Sequence, residues 1–344
     1  MRILLTGANG HIGANTARSL LERGDEVVAF VREGADLQGL EGLNITLRYG
    51  DIRDASSLIN AAQECDVIIH CAAVYNLLSE SREEIIEPVL VGVENVFRAM
   101  EANKIKRLVF TSSGAAVGFS HSQDHPRTPA EWHEDAQNLY VLAKVESERK
   151  AIQLAEQYGV DMIRLLPAAV LGPYDYRITP SNGIILGMVN GLTTTWEGGL
   201  NLVDVRDVAE VHAAAVTIGA PGQRYIIGGE NMHALEIGEI LAELTGVRPD
   251  HSDADRETTK AMVAEMEAEA KISGESLTTS SSIVHELAER YGYFDSSLTE
   301  ATFGLQPRQA RAILRDCLQW LDSLGMLETA VSTHLNKAQV AIPA

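Results

Sequence analysis

The 344 residues carry 48 acidic against 28 basic side chains, and a net charge of −20 excludes nucleic acid as the main partner, because phosphate backbones select basic surfaces. At 45% hydrophobic and 22% charged the composition is that of a globular protein, and no run approaches the ~20 apolar residues that would span a bilayer. Cys65, Cys71 and Cys317 form no C-x-x-C pair, which excludes a disulfide framework and a zinc site; with no signal peptide ahead of the first glycines, a reducing cytoplasm is the expected compartment and no metal is expected.

Along the chain, Arg2–Leu5 reads as a strand and runs into Thr6-Gly7-Ala8-Asn9-Gly10-His11-Ile12-Gly13, ahead of a helical pattern over Ile12–Arg23. The spacing is G-x-x-G-x-x-G. Glycines there permit a tight turn and bring backbone N–H groups to a pyrophosphate at a helix N-terminus, so Gly7, Asn9, Gly10, His11, Ile12 and Gly13 form the candidate cofactor loop, His11 as a loop side chain. A second strand, Glu26–Val31, ends at Arg32 rather than at the acid that would bond a ribose 2′-hydroxyl. A guanidinium there suits a 2′-phosphate, which favours NADP over NAD, with Glu33 beside it able to blunt the preference. The third strand, Asn44–Tyr49, precedes Asp51 and Ile52, an acid for the adenine amino group and an apolar flank for its ring.

A helix over Ser56–Gln63 leads to a fourth strand, Val67–Cys71, followed by Ala72 and Ala73, small enough for the cofactor to come close. His70 reads as a packed core side chain. A helix over Pro88–Ala102 and a fifth strand, Arg107–Ser112, bring Ser113 to the end of the sheet. The next helix, Leu139–Tyr158, opens with Tyr140-Val141-Leu142-Ala143-Lys144; residues four apart share a helix face, so Tyr140 and Lys144 address one ligand. A nearby ammonium lowers the phenol pKa from its ordinary ~10, and Lys144 can also hold the nicotinamide ribose. Ser113 can donate a hydrogen bond to a substrate oxygen as charge develops. A sixth strand covers Asp161–Leu166.

Strands alternating with helices in this way predict an α/β fold, a doubly wound parallel sheet of the Rossmann type over residues 1–166. After Pro167 the pattern changes to loops and helices, at Val208–Ile218, Leu235–Leu244, an exposed Thr258–Ile272, Ile283–Tyr291 and Pro307–Leu324, the last with Trp320 and Leu321 inward. A smaller, mostly helical substrate lobe is expected over 167–327, with some chain returning to the first domain, and a patternless, mobile tail over 328–344. The substrate pocket should draw on Val74–Ser81, Ala115–His133 and Tyr174–Trp196, with Tyr75, Phe119, Tyr174 and Trp196 as candidate lining.

TGANGHIG, DIRD, HCAA, TSSGAAVG, YVLAK and PAAVLGP together resemble the extended branch of the short-chain dehydrogenase/reductase family, part of the NAD-dependent epimerase/dehydratase superfamily, to about Leu324. Within it the chain is most similar to dihydroflavonol-4-reductase-like and 3β-hydroxysteroid-dehydrogenase-like proteins; GLNLVDVRDVAEVHAAA and RYIIGGENM also resemble hopanoid-associated sugar epimerases. The resemblance implies Ser113, Tyr140 and Lys144 as the catalytic set, Pro167 against the nicotinamide, and a homodimer paired through the helices at Pro88–Ala102 and Leu139–Tyr158. Gly114-Ala115 stands where sugar-nucleotide dehydratases carry an acid, and Val89-Leu90-Val91-Gly92 where many sugar-processing members carry N-V-x-G. The long basic segment that grips a sugar diphosphate is missing between Tyr174 and Asp204. The expected function is therefore net reduction of an organic carbonyl, or oxidation of the matching alcohol. Epimerisation with transient cofactor reduction is the alternative, and a non-catalytic nucleotide-binding redox sensor is a third.

Overall fold

The computed structural model describes residues 1–74, 76–79, 81–273 and 279–340. Its first half alternates β1 (Arg2–Thr6), α1 (His11–Glu22), β2 (Glu26–Val31), β3 (Thr46–Tyr49), α2 (Ala55–Ala61), β4 (Val67–His70), α3 (Arg82–Asn103), β5 (Arg107–Thr111), α4 (Leu139–Tyr158) and β6 (Asp161–Pro167). Successive side chains of a strand point to opposite faces, and both faces here are apolar. Ile3 and Leu5 enter one core with Val67 and Ile69; Leu4 and Ile68 enter the other. Helices must cover both faces, which is the doubly wound solution.

The main sheet runs β3-β2-β1-β4-β5-β6 and is completed at its far edge by β9 (Arg224–Ile227), all parallel. Strand order reverses between β1 and β4, and ligands of such sheets bind in the crevice beyond the carboxyl ends there. The same returning segment carries α6 (Val205–Ala214), whose Val208 and Val211 share a core with Ala14 and Ala17 of α1.

The remaining chain holds β7 (Ala169–Leu171), α5 (Pro180–Val189), β8 (Gly198–Asp204), β10 (Glu230–His233), α7 (Ala234–Thr245), α8 (Arg256–Ser273), α9 (Ser281–Leu287), β11 (Arg290–Gly292), α10 (Ser297–Phe303), α11 (Ala310–Ser323) and α12 (Thr329–Val340). This region is mostly helical, but β8 gathers β7, β10 and β11 into a small sheet absent from the sequence-based expectation.

Other boundaries also move. The helix expected from Pro88 starts at Arg82, because Ser81 caps it by accepting from Glu84 N, and Pro88 sits inside it. The helix expected over Ile283–Tyr291 ends at Leu287, and Arg290–Gly292 is a strand. The tail expected to lack pattern forms α12, with Val331 and Leu335 2% and 1% exposed. Leu321 is buried as expected, whereas Trp320 is half-buried against Tyr174 and Tyr176.

The apolar excess on α3 and α4 is used within the chain: Ile85, Ile86 and Ala143 pack together. Their outer surface carries Arg82–Glu146 and Lys150–Glu94 ion pairs, with Val91 the exposed large apolar residue of α3.

Candidate active site

β1 delivers the chain into Gly7 at φ +68°, where a Cβ would lie 2.7 Å from Ala72 N. Only glycine tolerates both the angle and that approach. Gly10 N donates to Gly7 O at 3.0 Å, and α1 begins at His11 with no side chain capping it. Its first amides therefore suit an anion, and a dinucleotide pyrophosphate fits this cradle. Asn9 Nδ2 donates to Asp36 O at 3.0 Å, fastening the loop to the segment after β2. The His11 ring turns away from the loop: Nε2 lies 3.0 Å from Pro173 O and Nδ1 4.0 Å from Asp175, and burial pushes its pKa down against that carboxylate.

At the other end of the crevice Arg32, Asp51, Ile52 and Arg53 line the wall. Arg53 grips Asp51 with two nitrogens at 2.6–3.1 Å, and this contact holds the Asp51 carboxyl below its usual range. Asp51 is thus engaged by a neighbour that sequence reasoning passed over. Ile52 packs over Gly92, and Asn95 Nδ2 holds Ile52 O at 2.9 Å. Ala72 and Ala73 line the crevice; beneath them His70 Nδ1 lies 2.8 Å from Thr6 Oγ1, and burial depresses its pKa to about 3. His70 is neutral at ordinary pH and belongs to the core.

Ser113, Tyr140, Lys144 and Pro167 face one cavity of about 770 Å³. Ser113 follows β5 in extended backbone, and its Oγ accepts from Ala115 N at 3.1 Å, which leaves the hydroxyl proton for a ligand. Tyr140 lies in the first turn of α4, with Lys144 Nζ 5.9 Å from its ring centre. Lys144 is buried, donates to Thr111 O at 3.4 Å, and its pKa falls to about 8 through burial, opposed by Cys71 and Glu148. Behind it Glu148, fully buried, accepts from Ser112 Oγ at 2.7 Å and Arg224 Nε at 2.8 Å. This ion pair ties α4 to β5 and to the returning strand β9.

Of the aromatic candidates, Phe119 lines the cavity. Tyr174 does not: it is 36% exposed, beneath the Arg18 guanidinium at 3.8 Å. Trp196 also lies off the cavity, packed against the lobe core. Tyr75 lies outside the described residues. The lining instead comes from Leu77, Ile178, Ile184, Leu200, Ile283 and Phe294. Asn138 and Glu286 join them and were missed. Asn138 carried a signal, being a capping residue just before a helix; Glu286 carried none, because its partners lie 148 and 149 residues away.

The profile of the NAD dependent epimerase/dehydratase family matches residues 3–228. Sterol demethylase protein B of Methylococcus capsulatus is 31% identical over 333 residues, covering 95% of this chain and 100% of that one. A Synechocystis protein provisionally named a dihydroflavonol 4-reductase is 30% identical over 333 residues, covering 94% and 96%. The crystal structure of gox2253 superposes with a TM-score of 0.82 at 28% identity over 95% of this chain and 99% of that one. Among the described residues no helix is long and apolar enough to cross a membrane, and no cluster of His, Cys, Asp and Glu could hold a metal.

Proposed function

The chain belongs to the NAD dependent epimerase/dehydratase family, and from that premise we propose that it is an NADPH-dependent reductase of an apolar ketone or aldehyde, or oxidises the matching alcohol. NAD(P)-dependent oxidoreductase chemistry comes with the family; the substrate and the preference for NADP are our reading.

One observation carries it. The described cations lining the cavity are Arg32 and Arg53 at the adenosine end, Lys144, and Arg177. Beyond Ser113 and Tyr140 the wall is mostly aliphatic and aromatic, without the cluster of cations a sugar diphosphate needs. A relative named for sterol demethylation fits a bulky apolar substrate.

When bound, the nicotinamide supplies or accepts the hydride. In the reductive direction Tyr140 gives its proton to the carbonyl oxygen, and Ser113 donates a hydrogen bond to that oxygen as charge builds. The Lys144 ammonium favours the phenolate that remains and binds ribose hydroxyls. Apolar walls exclude water and strengthen each of these interactions.

A panel of aldehydes, ketones and hydroxysteroids, run with both cofactors and followed at the reduced-nicotinamide band, tests the reading. Net oxidation of NADPH with an apolar carbonyl is expected. Stereochemical inversion of a sugar without net absorbance change would overturn it in favour of epimerisation.

Two further proposals rest on composition and family. The chain works in a reducing cytoplasm, with its three thiols unpaired. It forms a homodimer through α3 and α4 in which Val91 sits among charged side chains; light scattering giving a single-chain mass at micromolar concentration would remove that proposal.

A further inference from the structure

Tyr140 is held from outside its own domain. Its amide donates to Asn138 Oδ1 at 3.0 Å. The same Asn138 side chain donates from Nδ2 to Leu77 O at 2.8 Å and to Ser282 Oγ, in the first turn of α9, at 3.1 Å. From α9, Glu286 Oε1 then accepts from both Gln137 N at 2.8 Å and Asn138 N at 3.0 Å, the last amides before the catalytic helix. Its other oxygen lies 3.2 Å from His133 Nε2, within ion-pair range but without hydrogen-bond geometry. The far side of that ring reaches Ala115 O at 3.2 Å, on the turn that orients Ser113. Asp135, 3.2 Å from the same nitrogen, is held by Arg290. Asn138 and Glu286 are 1% and 3% exposed, yet both border the cavity. So do Ile283 and Leu287, which α9 places beside Glu286.

The element that would touch the distal part of an apolar substrate therefore also holds the helix that carries Tyr140. We infer that Glu286 is a positioning residue: it fixes Asn138 and Tyr140 for proton transfer, and bulk contacting Ile283 and Leu287 holds α9 against them during turnover. The inference rests on the reductase reading above and adds to it a preference for substrates long enough to reach α9. Binding energy from a remote group is thereby converted into turnover rather than affinity alone.

The test compares wild type, Glu286→Ala, Glu286→Gln and Asn138→Asp on cyclohexanone and on a fused polycyclic ketone. Wild type should show the higher kcat on the polycyclic ketone. Glu286→Ala should lower that kcat by about 10- to 100-fold, the scale of a small misplacement of a reacting group, and lower kcat on cyclohexanone by a clearly smaller factor, since cyclohexanone does not reach α9. NADPH affinity should stay within about twofold, since no cofactor contact is removed. Glu286→Gln keeps an acceptor oxygen and should recover most of the loss. Asn138→Asp keeps the cap on Tyr140 N and the backbone bonds to Glu286 but loses both Nδ2 bonds, so it tests the Ser282 tie to α9 separately and should also lower kcat more on the polycyclic ketone. Equal losses on both ketones, or none, would overturn the inference and leave the reductase reading intact. Wild type inert on every carbonyl would instead overturn the reductase reading. Amide exchange then decides the clamp by itself: Glu286→Ala should speed exchange at Gln137, Asn138 and Tyr140, and unchanged exchange there refutes it.

Discussion

Lys144 is the side chain whose environment says most about pH. Burial holds its pKa near 8, below the ~10.4 of an unfolded lysine. Between those values the folded chain binds fewer protons than the unfolded one, so the cost of burying the ammonium is full below about 8 and is relieved as pH rises toward ~10.4. On the proposed role activity moves the other way, because an ammonium favouring the Tyr140 phenolate would be lost above about 8. We predict that kcat/KM, which reports the uncomplexed enzyme, falls above pH 8; a profile flat from about pH 7 to about 9.5 would remove Lys144 from this role. Tyr140→Phe should keep nucleotide affinity and lose ~10²–10⁴-fold in single-turnover hydride transfer. Near-wild-type transfer would refute the proton-transfer assignment. Arg32→Ala should weaken NADPH roughly ten- to hundredfold and leave NADH nearly untouched, as loss of one charge-assisted bond to a 2′-phosphate does. Equal losses for both would mean that Arg32 supports the loop instead. That Tyr140, Lys144 and the glycine loop border one cavity was legible because helix and loop periods fix where side chains go: the first two are four apart, and the glycines precede α1. Tyr174 and Trp196 were misread because aromatic character alone does not say which way a loop residue turns. Tyr174 went to Arg18, and Trp196 into the lobe core.

Whole elements were readable where they are long or buried on both faces. Six of the seven strands of the parallel sheet were read in the sequence, five of them as apolar runs; the returning strand β9 was not. Nor was the small sheet, because β7 and β11 have three residues each and β8 opens with Gly198 and Gly199, which carry no strand signal. The start of α3 was hidden by Pro88, since proline is common at the first helical position; here it sits a turn and a half inside, and Ser81 sets the true start. The tail was misjudged because α12 buries only a narrow stripe. Deleting residues from 329 onward should cost about 1.5–3 kcal/mol for each of Val331 and Leu335, read as a lower denaturant midpoint. An unchanged midpoint would show that α12 is dispensable. For α4, Glu148→Ala strands Arg224 in the interior without its carboxylate. Breaking a buried pair in that way costs about 3–5 kcal/mol, and chemical denaturation measures it. A loss below about 1 kcal/mol would indicate that water takes over the carboxylate's bonds.

At the scale of the molecule the cavity lies between the carboxyl edge of the sheet and the lobe, so neither part makes it alone. The sequence showed the first wall in detail and the second hardly at all. Contacts such as Glu286 to Asn138 join residues about 150 apart, a relation no local pattern records. The two parts are also interleaved along the chain. Segment 204–227, which follows the first strands of the lobe, supplies β9 to the main sheet and lays α6 on α1. A fragment ending at 166 would leave β6 with an unpaired edge and the α1 side of the core open to water. We predict that it precipitates or binds hydrophobic dyes, whereas a soluble, cooperatively unfolding fragment would contradict this. The threading of β9 also bears on chimeras. Transplanting this chain's substrate preference into a related scaffold takes two pieces of gene, one spanning 168–203 and one beginning at 228, and the host must keep its own stretch in between. A single crossover after Pro167 would pair a foreign edge strand and helix with the host sheet, so recombinants made that way should fail in assembly before their selectivity can be measured.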